Sequence, residues 1–154
     1  MEMGQRALGN RSILGDPRDP EMKNKINKLI KHREWYRPFA PSILDESQEE
    51  FFGTKDIFPF MQIVLPIDSS KTDIIPAVTH VDGSGRLQTV TKKINLRYWN
   101  LINEFRKITG VGVLLNTSFN DNDEPIVRTP KDAIRTFFGT GLHELYIGNF
   151  IVRK

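Results

Sequence analysis

The sequence predicts a mixed α/β domain, on three observations. Residues 111–115 (VGVLL) form an unbroken apolar run, the mark of a strand covered on both faces. Residues 95–109 repeat apolar side chains at helical spacing and stop at Gly110, a residue suited to the position after a helix. Two strand-like segments, 77–81 and 86–91, flank Asp82-Gly83-Ser84-Gly85, which signals a hairpin, so the sheet is not purely parallel. The 154 residues suit one domain, burying roughly 68–70% of the surface of the unfolded chain. A hydrophobic content of 38% with 27% charged residues argues for a globular chain and against disorder.

Taken in order, residues 4–18 (GQRALGNRSILGDPR) mix glycine, arginine and small polar residues around the short apolar patch Ile13-Leu14. They predict no strand or helix of their own. Such an opening so close to Met1 predicts that the chain is the rear part of a longer polypeptide. Asp16-Pro17-Arg18-Asp19-Pro20 reads as a turn, with Asp19 as N-cap and Pro20 as the first helical residue. Met22, Ile26, Leu29 and Ile30 then share one face of a helix ending near Lys31. Pro38 and Pro41 bracket an extended stretch over 37–44, and 46–52 fits one or two helical turns. Residues 60–65 (FMQIVL) predict a strand. In the 95–109 helix the buried stripe is Tyr98, Leu101, Ile102, Phe105 and Ile108. A polar loop over 116–124 follows the apolar run. Thr129-Pro130-Lys131-Asp132 is a helix start with a side-chain cap, proline at N1 and an acid at N3; that helix stops near Gly139. Residues 145–152 close the chain as a strand bent or bulged at Gly148-Asn149.

Much chemistry is excluded. Cysteine is absent, which removes disulfides, thiolate metal sites and a cysteine nucleophile. His32, His80 and His143 match no metal-binding spacing and read as surface or capping residues; no GxSxG elbow or GxxxxGK[ST] phosphate loop occurs. No apolar run approaches a membrane span and no secretory signal follows Met1, which predicts a soluble, cytoplasmic domain. The net charge of +3 favours small anionic partners and falls far short of the excess that would favour nucleic acid.

What remains is a set of cations and small polar groups, each at the end of an apolar segment. Arg6 and Arg11 lie in the glycine-flanked opening, and Lys31, Arg33 and Arg37 surround Trp35-Tyr36. Arg86 follows the glycine turn, and Asn116, Ser118 and Asn120 follow the apolar run. Several fixed cations around one crevice suit a polyphosphate, because arginine grips two phosphate oxygens at once and lysine adds a point charge. Such a site promotes phosphoryl or nucleotidyl transfer by positioning and charge stabilisation. Blander readings stand beside this one. Lys31-His32-Arg33-Glu34 reads equally as a solvated helix end, Arg86 as an exposed strand residue, and residues 116–120 as a polar turn. Trp35 and Tyr36 read as packing residues rather than a base-stacking platform.

Four segments in one order, GQRALGNRSILGDPR, KHREWYRPFAPSIL, THVDGSGRLQTV and LLNTSFNDNDEPIV, resemble the C-terminal region of the carbamoyltransferase family, which includes nodulation-factor and antibiotic O-carbamoyltransferases. The likeness runs from about residue 4 to 152. One departure is Gln5, where the family usually has proline. The resemblance implies a YrdC-like fold, a twisted open sheet with parallel and antiparallel strands flanked by helices. It implies binding of ATP, with Mg²⁺ carried by the nucleotide, and of carbamoyl phosphate, to form carbamoyl-adenylate with release of pyrophosphate and phosphate. The family's basic ligand-binding residues fall on Lys31, Arg37 and Arg86. On this reading Lys31 and Arg37 neutralise the phosphate of carbamoyl phosphate and the carbamate it leaves, and Arg86 holds the carbamoyl oxygen or the α-phosphate. Asn116, Ser118 and Asn120 bind substrate or nucleotide, and Arg6 and Arg11 face the triphosphate. The carbamoyl group would then pass to a hydroxyl acceptor in an N-terminal Kae1-like domain, in the same polypeptide or as a separate subunit; no stretch here supplies that domain's histidines. Alternatives are a YrdC-like module that binds nucleotide or RNA without turnover, threonylcarbamoyl-adenylate formation, and a structural fragment without activity.

Overall fold

Strands β1 (Ser12–Gly15), β2 (Ala40–Leu44), β3 (Ile63–Pro66), β4 (Ser84–Val90) and β5 (Val113–Ser118) make one sheet in the order β1-β5-β2-β4-β3 in the computed structural model, which describes residues 6–154. Gly4 and Gln5 of the opening motif, and the start at Met1, lie outside the described residues. The β2–β4 pair is parallel and the other three pairings are antiparallel, so the sheet is mixed as predicted. Four helices flank it: α1 (Met22–Leu29), α2 (Asp45–Phe52), α3 (Leu96–Thr109) and α4 (Pro130–Gly139).

The apolar run behaves as its composition requires. Successive side chains of a strand point to opposite faces. Val113 and Leu115 pack with Ile26 of α1, Phe51 of α2 and Phe137 of α4 in the larger core cluster. Leu114 points the other way, into a second cluster with Leu44, Val90 and α3's Tyr98, Trp99 and Ile102. The strand runs on to Ser118, so Asn116 is not in a loop: it pairs with Leu14 of β1 on one side and Ala40 of β2 on the other.

Several expectations need correction. Ser12–Gly15 is an edge strand, because Ile13 buries itself while the backbone completes β5's free side. Helix α1 begins at Met22, not Pro20; Asp19 Oδ1 accepts from the Glu21 amide and closes the turn before the helix. Strand β3 starts at Ile63, because Met61 has φ +54° and the Gln62 side chain accepts from the Phe60 amide, folding residues 60–62 into a turn. The segment before Asp82 is a 3₁₀ turn, Pro76–Val78, started by its proline; β4 pairs instead with β2 and β3. In α3, Leu101 and Ile108 face solvent, and Trp99 takes a buried place alongside Tyr98 and Ile102. The chain closes as a hairpin, β6 (Glu144–Ile147) and β7 (Phe150–Arg153), turning at Gly148 with φ +59°. The Thr129 capping box and the Gly110 stop of α3 stand as predicted.

The opening segment lies across the α3 side of the sheet. Ala7 is buried and its carbonyl accepts from the Asn116 amide at 3.0 Å. Gly9, at φ +103°, lies so close to Tyr98 that a Cβ would sit 2.3 Å from the ring. Only glycine lets the backbone approach the ring this closely in that conformation. Gly9→Ala should therefore destabilise the fold by about 3 kcal/mol through overpacking and backbone strain. This is read as a lower urea midpoint, and an unchanged midpoint would contradict the packing.

Candidate anion-binding site

At one end of the sheet, where β2 and β4 begin, four arginines converge. Arg6, Arg33, Arg37 and Arg86, with Pro38, Phe39 and His80, line a cavity of about 380 Å³. Each arrives by a different route. Arg86 stands on β4, on the same face as Gln88 and Val90 and hence as α3. Arg6 comes from the opening segment. Arg33 and Arg37 come from the loop between α1 and β2, which Asn27 organises. This helical asparagine, 1% exposed, accepts from Arg33 Nε at 2.7 Å and donates to the Arg37 carbonyl at 3.1 Å. The Arg33 guanidinium also lies 4.7 Å from the centroid of the Phe39 ring, a cation–π contact that fixes its plane.

Charge in the cavity is poorly compensated. Arg37 Nε meets Glu34 Oε2 at 2.8 Å, but no carboxylate lines the cavity among the described residues. Burial, with Arg37 and Arg86 nearby, lowers the pKa of Arg33, and burial with Arg6 lowers that of Arg86. Guanidinium pKa values start so high that all four remain cationic at neutral pH. Half-buried like charges repel, and an anion with several oxygens relieves that repulsion while filling the guanidinium donors. The cavity therefore presents several guanidinium donors to whatever occupies it.

Lys31 lies just beyond the end of α1 and is 3% exposed, so it is not part of a solvated helix end. Its ammonium donates to the Ser118 carbonyl at 2.9 Å, Ser118 Oγ at 3.2 Å, the Asn120 carbonyl at 2.8 Å and Asn120 Oδ1 at 2.7 Å. Next to it, His32 Nδ1 is 2.8 Å from Asp121. The end of α1 is thus tied to the end of β5 by a buried cation. Burial, and secondarily Arg33, pushes Lys31 down to about 8. Three ammonium protons already serve four oxygens, so direct contact with a phosphate requires Ser118 or Asn120 to give up its place.

The predicted site residues therefore fall into four groups. Arg6, Arg37 and Arg86 meet in the cavity; Lys31, Ser118 and Asn120 form the adjoining tether, linked to the cavity through Arg33. Asn116 belongs to an interior network, donating to Ser42 Oγ at 3.0 Å and Gln88 Oε1 at 2.8 Å across three strands. Arg11 donates to the Val127 carbonyl at 3.0 Å, which pins the loop after β5 to the opening segment. Sequence reasoning left Asn27 and His80 out of the site and, while counting Arg33 among the clustered cations, gave it no ligand role. Asn27 carried a signal, a polar residue three places before Ile30 and four before Lys31 on the buried side of a helix. Trp35 and Tyr36 do not pack in the core: they are 72% and 59% exposed, and Trp35 lines a neighbouring cavity of about 390 Å³ with Asn24, Asn27, Lys28 and Arg33.

A mixed sheet flanked by helices, with an arginine-walled cavity at one end, defines a class by its architecture, an α/β domain with a strongly cationic cavity. The comparisons give the family. The family described as "Carbamoyltransferase C-terminus" matches residues 1–154. The chain is 55% identical over 156 residues to "Nodulation protein NolNO" of Sinorhizobium fredii, covering 99% of this chain and 23% of the relative. It is 54% identical over 157 residues to "Nodulation protein NolO" of Bradyrhizobium diazoefficiens, covering 99% and 28%. An uncharacterised Methanocaldococcus jannaschii protein is 43% identical over 154 residues, covering 100% and 25%. The chain belongs to the carbamoyltransferase family and corresponds to its C-terminal part. It spans about a quarter of the length of these relatives. Among the described residues no helix is long and apolar enough to cross a membrane, and no group of three or more histidines or carboxylates could hold a metal ion.

The Lys31 tether carries a signed pH dependence. Folded Lys31 titrates at about 8 against an ordinary 10.5, so between those values the unfolded chain binds more protons. The burial penalty is fully present below pH 8 and is lifted as pH rises to 10.5. Wild-type stability measured against Lys31→Met should rise across that window, by on the order of 3 kcal/mol. A pH-independent difference would contradict a desolvated ammonium.

Proposed function

We propose that this chain is the substrate-activating domain of an O-carbamoyltransferase, binding carbamoyl phosphate and ATP in the arginine cavity and forming carbamoyl-adenylate. The observation that carries the reading is the meeting of four arginines around one cavity in a chain of this family. Carbamoyl phosphate is cleaved by water to carbamate and phosphate. A carbamate oxygen then attacks the α-phosphorus of ATP, forming the new P–O bond as the bond to pyrophosphate breaks. Both steps move negative charge between phosphate oxygens, which fixed guanidinium groups stabilise without a side-chain nucleophile.

Arg37 and Arg86 hold the reacting carbamoyl and phosphoryl oxygens, and Arg6 and Arg33 take up the remaining phosphate charge. Lys31 keeps Ser118 and Asn120 in place and adds positive charge from behind them. Asn116 acts at one remove by locking β5 to β2 and β4. Arg11 braces the opening segment that delivers Arg6 and lies outside the cavity lining. A cavity wall of arginines without carboxylates suits Mg²⁺ held by the nucleotide's own phosphate oxygens. The neighbouring cavity shares Arg33 and offers the Trp35 indole as a face for the adenine ring. A Kae1-like domain, in the same polypeptide or as a separate subunit, would receive the activated carbamoyl group and supply the hydroxyl acceptor.

The exposed Trp35-Tyr36 pair beside a basic cavity favours a second reading, single-stranded RNA bound without turnover. One set of measurements separates the two. Carbamoyl-phosphate-dependent exchange of labelled pyrophosphate into ATP, assayed with the Kae1-like partner domain present, should fall about 10²-fold or more in Arg37→Ala and in Arg86→Ala. Exchange at the wild-type rate in both variants would overturn the assignment. RNA binding that falls steeply with salt yet tolerates loss of either arginine would favour the second reading.

A further inference from the structure

Among the described residues, His80 is the one group lining the arginine cavity that can exchange a proton near neutral pH, since guanidinium groups stay charged. Its surroundings define its tautomer. Ser84 Oγ lies 2.6 Å from Asp82 Oδ1, and an ionised carboxylate only accepts, so the single hydroxyl proton of Ser84 points to Asp82. Two bonds from Ser84, side chain and backbone, hold the Asp82 carboxyl below its usual range and keep it ionised. Ser84 Oγ must then accept from His80, 3.1 Å away, which places the ring proton on Nδ1. The lone pair is left on Nε2. A second bond, from the His80 amide to the Ser84 carbonyl at 2.8 Å, fixes the residue within the turn.

We propose that His80 is a proton-accepting anion contact of this cavity: Nε2 takes a proton from solvent when a phosphate-bearing ligand fills the space, so that binding brings a fifth cation into the wall. The inference rests on the anion-binding reading of the cavity and adds to it a proton coupled to occupancy. The groups facing the ring agree with a neutral starting state. Burial lowers the pKa of His80; Asp82 opposes that, and Arg86 and Lys23 of α1 reinforce it. Among the described residues, the other charges in the cavity wall are Arg6, Arg33 and Arg37, all positive. A polyanion among them reverses the sign of the local field and favours imidazolium, a change that opposite charge typically drives by one to three pKa units, roughly. The sign follows: ligand affinity falls as pH rises through the raised His80 value. Ser84 and Asp82 act as positioning residues that hold Nδ1–H in place.

Calorimetry of inorganic pyrophosphate binding at pH 7, in two buffers of different ionisation enthalpy, counts the protons directly. Lys31 is already mostly charged at that pH and contributes little, while pyrophosphate entering a cationic site tends to release protons. Wild type should take up about half a proton more per pyrophosphate bound than His80→Gln, which should still bind pyrophosphate. Binding with the same proton balance in wild type and His80→Gln overturns the role of His80 and leaves the anion site standing. No pyrophosphate binding by wild type overturns the anion site and this inference with it. Should His80→Gln fail to fold, the ring Cε1–H signals of wild type decide. One of the three histidines should titrate at higher pH with pyrophosphate present, and three unmoved titrations overturn the inference.

Discussion

Four guanidinium groups share one small cavity, and the fold must hold them there against their mutual repulsion. Glu34 pairs with Arg37, but among the described residues no carboxylate lines the cavity wall, so much of the work falls to the backbone and to neutral partners. The β4 ladder carries Arg86, the Asn27 side chain and the Phe39 ring restrain Arg33, and the carbonyl of Ala7, bound by Asn116, draws the opening segment and with it Arg6 towards the same end of the sheet. A folded chain that stores this repulsion is primed for an anion, because ligand charge removes a penalty already incurred.

The tether at Lys31 belongs to the same design. A buried ammonium without a carboxylate in contact would be costly, and here four oxygens from the end of β5 offset that cost. The arrangement joins the helix that carries Asn27 to the loop that carries Asn120. Asn27 in turn sets the geometry of Arg33 and Arg37. The end of β5 and the cavity wall are thus joined through Lys31, the end of α1 and Asn27. On the far side, Asn116 stitches β5 to β2 and β4 beneath Ala7, so side chains as well as the backbone ladder join the strands beneath the cavity.

Local physics made much of this legible in the sequence. The capping box at Thr129 and the Asn95-to-Gly110 limits of α3 rest on periodicity and short-range hydrogen bonding, and the structure contains both; the two-sided strand expected at 111–115 is present too, shifted to Val113–Ser118. The cations Arg6, Arg37 and Arg86 stand out by their places at the ends of apolar segments, although Arg86 taken alone reads better as an exposed strand residue. What misled was long-range. Residues 77–91 carry hairpin punctuation, yet β4 finds its partners in β2 and β3, which lie elsewhere in the chain. Trp35 and Tyr36 have the composition of core residues and lie on the surface because Asn27 holds their loop outward. His80 looked like a lone surface histidine, since its significance comes from Arg6 and Arg33, more than forty residues away. Lys31 looked solvated because its oxygen partners lie 87 and 89 residues further on.

The central claim is convergence: arginines separated along the chain act as one receptor for a polyphosphate. Two-dimensional spectra of arginine Nε–H groups during a pyrophosphate titration test it most directly. The account predicts that the signals of Arg6, Arg33, Arg37 and Arg86 move together along a single saturating curve, while Arg18 and Arg135, ion-paired elsewhere on the surface, stay in place. Small, unsaturating shifts spread over all arginines would contradict it.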